Sequence, residues 1–402
     1  MSNDTITAPK GFRAGGMVCG IKPSGRPDVA LLVAEARCAA AAVFTRNRFC
    51  GAPIVVGRKH VADGGLQAIV VNSGNANVAT GARGLKDAQR MCQRVADRFG
   101  IDPHDVLPAS TGVIGAFLPM GKILPGIDRL SEQIAATAPG GSAFARAILT
   151  TDTRSKEAVR RLRLGRSQVV VAGCSKGSGM IAPNMATTLT YLTTDAAIRP
   201  AALRKLLSSA VEATLNRVTI DECTSTSDMA VVLASGLAGN RPIGAASSPA
   251  GRALTKAMLE VCDELAYQLA ADGEGATRVI EVTVRRARTA GDAHAVARAV
   301  AISPLLKAAI SGGDPNWGRV VQSVGVTDAQ FDPQRVTIRM GGQVVFSRGR
   351  PAARVNQKAL DNAMKGKCVA IAIDLAAGKA SDRVRTCDLT EQYVRINADY
   401  TT

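Results

Sequence analysis

Short runs rich in β-branched residues recur along this chain without strict alternation with helical segments. That pattern favours layered α+β architecture over a doubly wound parallel sheet. The runs predicted as strands are Pro53 to Val56, Ala68 to Asn72, Gln168 to Ala172, Met229 to Leu233, Val279 to Val284, Val336 to Met340 and Cys368 to Asp374. Three stretches have helical spacing instead. Leu85, Ala88, Met91, Cys92, Val95 and Phe99 share one face, and Leu254, Met258, Val261, Leu265 and Leu269 form a stripe. A third helix is expected from Pro200 to Leu215, since proline is favoured in a first turn. The Gly/Pro/Ala-rich stretches Ala138 to Ser142 and Leu237 to Gly251 read as flexible connections. With 402 residues, the chain is expected to form two domains.

The N-terminal MSNDTITAPKGFRAGGMVCG lacks the apolar stretch of a secretory signal, and no run approaches the roughly 18 apolar residues of a bilayer span. A soluble, cytoplasmic protein without a membrane partner is expected. The nine cysteines are scattered, odd in number and never spaced as C-x-x-C, so a disulfide framework is not indicated. Most, as in KCVAIAI around Cys368, read as small buried hydrophobes. His60, His104 and His294 stand far apart without ligand-type companions, so no metal is expected. A formal charge of +17 is compatible with nucleic-acid binding. Yet the basic residues are dispersed and aromatics make up only 3%, leaving few stacking platforms. A solvated basic surface is the expectation, with a field suited to small anionic substrates.

The most unusual stretch is Lys176 to Leu189, KGSGMIAPNMATTL, in which small residues, a proline and an asparagine precede Ala186-Thr187 and a strand follows. Threonine is a weak nucleophile and needs an adjacent base. A chain-terminal threonine carries its own, because an α-amine titrates near pH ~8 and can accept the hydroxyl proton. Such a terminus requires a cut before Thr187. Small Ala186 on the carbonyl side leaves Thr187 Oγ room to attack through an ester intermediate. Without context, an internal Ala-Thr is ordinary structure, Lys176 a surface lysine, Glu274 a turn acid, and Asn397 to Thr402 a fraying end. Trp317, the sole tryptophan, reads as a packing residue.

KGSGMIAPNMATTLTYLTTDA resembles the processing site of the bifunctional glutamate/ornithine acetyltransferase family. The resemblance extends to NSGNANVATG at 72–81, STGVIG at 110–115, TTDT at 150–153, DGEGAT at 272–277, DPNWGR at 314–319 and YVRINADYTT at 393–402. It implies an αββα-type layered main domain over 1–280 and a smaller α+β domain over 281–402. It also implies self-cleavage into chains 1–186 and 187–402. These chains would stay associated as a heterotetramer of two N-terminal and two C-terminal chains, or larger. Carried over by position, Thr187 is the nucleophile, while Thr111 and Gly112 are oxyanion donors. Thr153, Lys176, Thr187, Glu274, Asn397 and Thr402 contact substrate. The implied reaction moves acetyl from N-acetylornithine to glutamate by a ping-pong route, without a cofactor; some relatives also accept acetyl-CoA. Two rivals remain: a self-cleaving amidase or aminopeptidase, and a non-catalytic nucleic-acid-binding protein.

One departure stands out. Where the family resembles Val-Asp-Gly-Asp-Thr-Ser-Thr-Asn-Asp, this chain has Ile220 to Asp228, IDECTSTSD. Glu222 replaces the glycine and Cys223 an acid. If that glycine takes positive φ, Glu222 is expected to force a different local backbone.

Overall fold

A computed structural model describes residues 5–182 and 188–399. The expected cut between Ala186 and Thr187, and the terminal Thr402, lie outside the described residues. The described residues divide into two units, one formed by 5–182, 188–216 and 224–269, the other by 217–223 and 270–399. The boundary expected at 280/281 falls inside a strand of the second unit, Val279–Ala287.

The first unit contains β1 (Phe12–Met17), β2 (Val29–Phe44), α1 (Ala52–His60), β3 (Gly65–Asn75), α2 (Gly81–Phe99), β4 (Val106–Val113), α3 (Met120–Ser131) and α4 (Ala138–Ala147). These are followed by β5 (Lys156–Leu164), β6 (Ser167–Lys176), β7 (Leu189–Thr194), α5 (Pro200–Ala213), β8 (Met229–Ala234) and α6 (Pro249–Ala271). The strand order is β4-β3-β2-β8-β7-β6-β5, with β1 beside β2. The 16-residue β2 bridges the two halves. Its first part pairs with β1 and β3, its last with β8, and its register on β3 shifts between Val33 and Cys38.

Because side chains alternate along a strand, β2 sends Ala30 and Leu32 to one face and Leu31 and Val33 to the other. The first face joins Phe12, Ile69 and Leu107 in a core shared with Tyr191, Met229 and Leu233 from the other half. Phe144 of α4 closes this layer edge-on against Tyr191, ring centres 5.2 Å apart. The opposite face packs with Met91 and Val95 of α2 and Ile123 and Ile127 of α3. On the other half, a Cβ at Gly173 of β6 would meet Val261 and Leu265 of α6 at 3.1 Å. Helix, sheet, sheet and helix therefore stack in the expected order. Each large apolar side chain fully buried this way contributes about 1.5–3 kcal/mol.

The second unit holds β9 (Val279–Ala287), α7 (Ala290–Ala301), α8 (Pro304–Ser311), α9 (Trp317–Gly325), β10 (Thr337–Met340), β11 (Gln343–Ser347), β12 (Arg350–Pro351), α10 (Gln357–Met364), β13 (Cys368–Asp374), β14 (Ala380–Cys387) and α11 (Glu391–Asp399). Its sheet runs β12-β11-β10-β13-β9-β14, with β9 and β13 parallel. Trp317 packs onto this unit's core, 5.6 Å from the Phe346 ring. Among the described residues no single helix is long and apolar enough to cross a membrane.

Several sequence expectations are corrected. Pro53 to Val56 is not a strand but the first part of α1, with proline in the first turn and Arg58, Lys59 and His60 in the last. The Arg58 and Lys59 cations suit a helix C-terminus. Ala138 to Ser142 is not a flexible connection but the start of α4, whose Thr137 side chain accepts from Gly140 N–H at 3.4 Å. Its glycines allow close packing: a Cβ at Gly140 would lie 2.6 Å from the Ala14 carbonyl oxygen, and one at Gly141 2.4 Å from Thr5 Oγ1. Cys368 is exposed, as is Cys223, whereas Cys38, Cys92, Cys174, Cys262 and Cys387 are buried.

Glu222 is also resolved. It takes φ +61, the left-handed conformation open to glycine, so the side chain is accommodated in that backbone. Its carboxylate meets Arg298 at 2.7 Å, both side chains about two-fifths exposed. A left-handed non-glycine residue costs about 1–2 kcal/mol, whereas an exposed ion pair contributes about 0–1 kcal/mol. Glu222→Gly should therefore raise stability by roughly 1 kcal/mol, read from the urea midpoint. An unchanged or lower midpoint would mean that the pair with Arg298 outweighs the strain.

Candidate active site

Thr111 and Gly112 lie at the end of β4, where it runs parallel to β3 with Ser73 opposite Thr111 and Gly74 opposite Gly112. The approach is so close that a Cβ on Gly112 would sit 2.3 Å from the Gly74 carbonyl carbon, and Gly112 takes φ +132. No other residue fits that backbone without moving it.

The NSGNANVATG segment builds the wall behind it. Ser110 Oγ donates to Asn72 Oδ1 at 2.6 Å, and Asn72 Nδ2 to the Asn75 carbonyl at 2.8 Å. Asn75 Nδ2 donates to the carbonyls of Ala116 and Phe117, each at 3.1 Å, while its Oδ1 accepts from Asn77 N–H at 2.8 Å. These buried amides bond to neighbouring backbone and side chains and tie the strand ends together.

Lys176 ends β6 and is buried, 8% exposed. Its Nζ donates to Thr111 Oγ1 at 3.2 Å. An ammonium only donates, so Thr111 Oγ1 accepts here and its O–H remains to donate elsewhere. The adjacent positive charge strengthens that donor. The pair faces a small cleft of about 30 Å³ that is also lined by Gly177, Met180, Thr188, Ser225 and Asp228. Thr188 opens the run into β7, and Lys176 pairs with Leu189 across the β6–β7 register. Met180 and Thr188, which lie on either side of Ala186-Thr187 in the sequence, both line this cleft.

Several titratable residues not singled out from the sequence complete the setting. Asp152 is buried and accepts from Lys156 Nζ at 2.6 Å, Gly177 N–H at 2.6 Å and Thr150 N–H at 3.1 Å. Burial works against its carboxylate, but the charges of Lys156 and Lys176 and these hydrogen bonds outweigh it, holding its pKa below the usual carboxylate range. Lys22 Nζ donates to the carbonyls of Pro27 and Leu149, each at 2.6 Å. Burial brings its pKa down to about 8, with Lys176 adding to the decrease and Asp28 opposing it. The Asp28 carboxylate positions that loop by accepting from the backbone amides of Cys19, Gly20, Ile21 and Lys22 at 2.6–3.1 Å. Asp228 is buried at the start of β8, and burial pushes its carboxyl well above the usual range. The available sequence signal was an acid opening an otherwise apolar strand, DMAVVLA.

Thr153 is exposed on the turn beside Asp152. Glu274 and Asn397 belong to the second unit, where Asn397 Nδ2 of α11 donates to Glu274 Oε2 at 2.8 Å. Glu274 is 8% exposed. Thr390 Oγ1 donates to the Gly275 carbonyl at 2.8 Å, fastening the DGEG turn to the segment entering α11. Residues near the chain end are therefore secured against the turn. Among the described residues no group of three or more His, Cys, Asp or Glu could hold a metal ion.

The model of the ArgJ family matches residues 13–402. This chain belongs to the ArgJ family of bifunctional arginine-biosynthesis enzymes. It is 46% identical over 400 residues to the arginine biosynthesis bifunctional protein ArgJ of Symbiobacterium thermophilum, covering 99% of this chain and 98% of that one. It is 44% identical to the protein of the same description from Thermus thermophilus, covering 99% and 100% respectively. A crystal structure of the Bacillus halodurans ArgJ protein is 45% identical over 46% of this chain and 96% of its own, with a TM-score of 0.45.

Proposed function

We propose that this ArgJ-family enzyme cuts itself between Ala186 and Thr187 and then transfers acetyl from N-acetylornithine to glutamate. The carrying observation is the Lys176–Thr111 contact beside Gly112, on a cleft also lined by Met180 and Thr188, which flank the expected cut in sequence.

In the first half-reaction Thr187 Oγ attacks the acetyl carbonyl while the Thr187 α-amine takes the hydroxyl proton. The Thr111 hydroxyl and Gly112 N–H receive the developing oxyanion. The carbon–nitrogen bond then breaks, the proton passes to the leaving nitrogen, and ornithine departs from an acetyl-Thr187 ester. In the second half glutamate's amine attacks that ester and gives a proton to the Thr187 α-amine. The ester carbon–oxygen bond breaks, Thr187 Oγ takes that proton back, and N-acetylglutamate leaves. Acetyl-CoA is the second proposed donor. Lys176 supplies positive charge for substrate carboxylate, and Thr153 is a further proposed substrate contact. Glu274, Asn397 and Thr402 are the proposed contacts for the rest of the substrate. The working particle is proposed to be a cytoplasmic heterotetramer, or larger, of both cleaved chains, handling small molecules alone.

Initial rates with both substrates varied should give parallel double-reciprocal lines, and quenched enzyme should carry one acetyl on the 187–402 chain. Intersecting lines without an acetylated chain would overturn the ester route. Acetate release unaffected by glutamate would favour an amidase instead.

A further inference from the structure

Two carboxyl groups stand near Lys176, and the fold treats them oppositely. Asp152 has both oxygens occupied by donors, a lysine among them. Asp228 is 4% exposed and lines the cleft, yet its Oδ2 is buried with no hydrogen-bond partner among the described residues. A buried carboxylate leaving an oxygen unpaired is strongly disfavoured, whereas a carboxylic acid carries its own donor. Asp228 is also fixed beside the proposed reaction locus: its carbonyl accepts from Thr45 N–H at 2.9 Å, and Met229 N–H donates to the Thr188 carbonyl at 2.9 Å.

We propose that Asp228 faces the cleft as a protonated carboxylic acid whose O–H donates a hydrogen bond to a carbonyl or carboxylate oxygen of the bound substrate. The proposal rests on the acetyl-transfer reading for what the cleft holds. It assigns Asp228 to substrate binding and positioning and leaves the bond-making steps unchanged.

The surroundings favour the neutral form. Lys176 at the end of β6 is the charged group whose field favours ionisation, and Ser225 adds hydrogen bonding in the same sense; burial exceeds both. The start of β7 contributes Thr188 and Leu189, and the preceding segment Ser225 and Ser227, none of which titrates near neutrality. Arg58 of α1 donates to the Thr45 carbonyl at 2.7 Å and is thereby engaged on the neighbouring strand end. A carboxyl desolvated by burial is a recognised way to keep a donor at neutral pH.

Linkage provides an activity-independent consequence. In the folded protein Asp228 holds its proton above the pH at which it ionises when unfolded. Its contribution to stability is therefore lost progressively as pH rises from the ordinary carboxylate range toward the folded pKa. Asparagine keeps the shape and a donor but does not titrate. The stability difference between D228N and wild type should therefore shift toward D228N with rising pH.

The test compares wild type, D228N and D228A, with thermal melts establishing that each is folded. Infrared difference spectra of wild type against D228N at neutral pH should contain a protonated-carboxyl stretch from wild type; its absence overturns the proposal. D228A should lower kcat/KM by about tenfold, as expected for loss of one hydrogen bond. D228N should recover most of that loss and remove the alkaline limb that Asp228 contributes. A D228N variant as impaired as D228A, or one retaining the full alkaline limb, also overturns it. Wild-type protein without acetyl transfer refutes the function reading, and the infrared result then decides Asp228's protonation by itself. Should D228A not fold, D228N and the infrared spectrum carry the test.

Discussion

Thr187→Ala should leave a single 402-residue chain, whereas wild type should resolve by intact mass into fragments ending at Ala186 and beginning at Thr187. Alanine removes both the attacking oxygen of the cut and the nucleophile of the transfer. Acetyl transfer should fall by about 10⁴-fold or more, as when the nucleophile of a covalent catalyst is deleted. Thr187→Ser keeps a hydroxyl and should be cut more slowly but still acetylated. A Thr187→Ala chain cut at the same position would assign the scission to another agent. An uncut wild type would deprive the proposed mechanism of its base.

Thr111→Val has the next largest expected effect. Valine keeps the branched shape but removes the hydroxyl, leaving Lys176 Nζ without the acceptor it has at 3.2 Å. Loss of one oxyanion donor costs about 2.7–4 kcal/mol of transition-state stabilisation, a fall of 10²–10³ in kcat. KM should change far less, because the donor acts mainly on charge that develops during reaction. A kcat within about threefold of wild type would show that Thr111 holds the strand end without meeting the oxyanion.

Elements with long, unmixed patterns were legible in the sequence. The stripe from Leu254 to Leu269 is the buried face of α6, and the strand expected from Cys368 to Asp374 has those same bounds. Pro53 to Val56 was misread because a short apolar run has no period distinguishing a strand from a buried helical turn. The deciding cues lie beyond it, in Pro53 as a first-turn residue and the basic end of α1. Ala138 to Ser142 has loop composition, but its glycines permit tight packing against Ala14 and Thr5.

The site was legible only in part. Thr111 and Lys176 were singled out through family resemblance, and nothing local says that side chains 65 residues apart touch. The pairing follows from parallel β3–β4 and antiparallel β6–β7 registers, both set by long-range sheet order. Asp228 offered still less. Its composition cue is one acid before an apolar run, and what distinguishes it from a strand-capping residue is an Oδ2 with no hydrogen-bond partner among the described residues.

The β6–β7 pairing implies an asymmetry in the enzyme's life history. Residues 171–176 pair with 189–194, so the proposed cut places adjacent strands of one sheet on different polypeptides. Before the cut their meeting is a unimolecular closure across a short connection. Afterwards an unfolded pair must find each other by diffusion, without the effective concentration supplied by the link. Assembly instructions would thus be used once, by the precursor. The mature particle would depend on the height of its unfolding barrier for longevity, with recovery after denaturation becoming concentration-dependent.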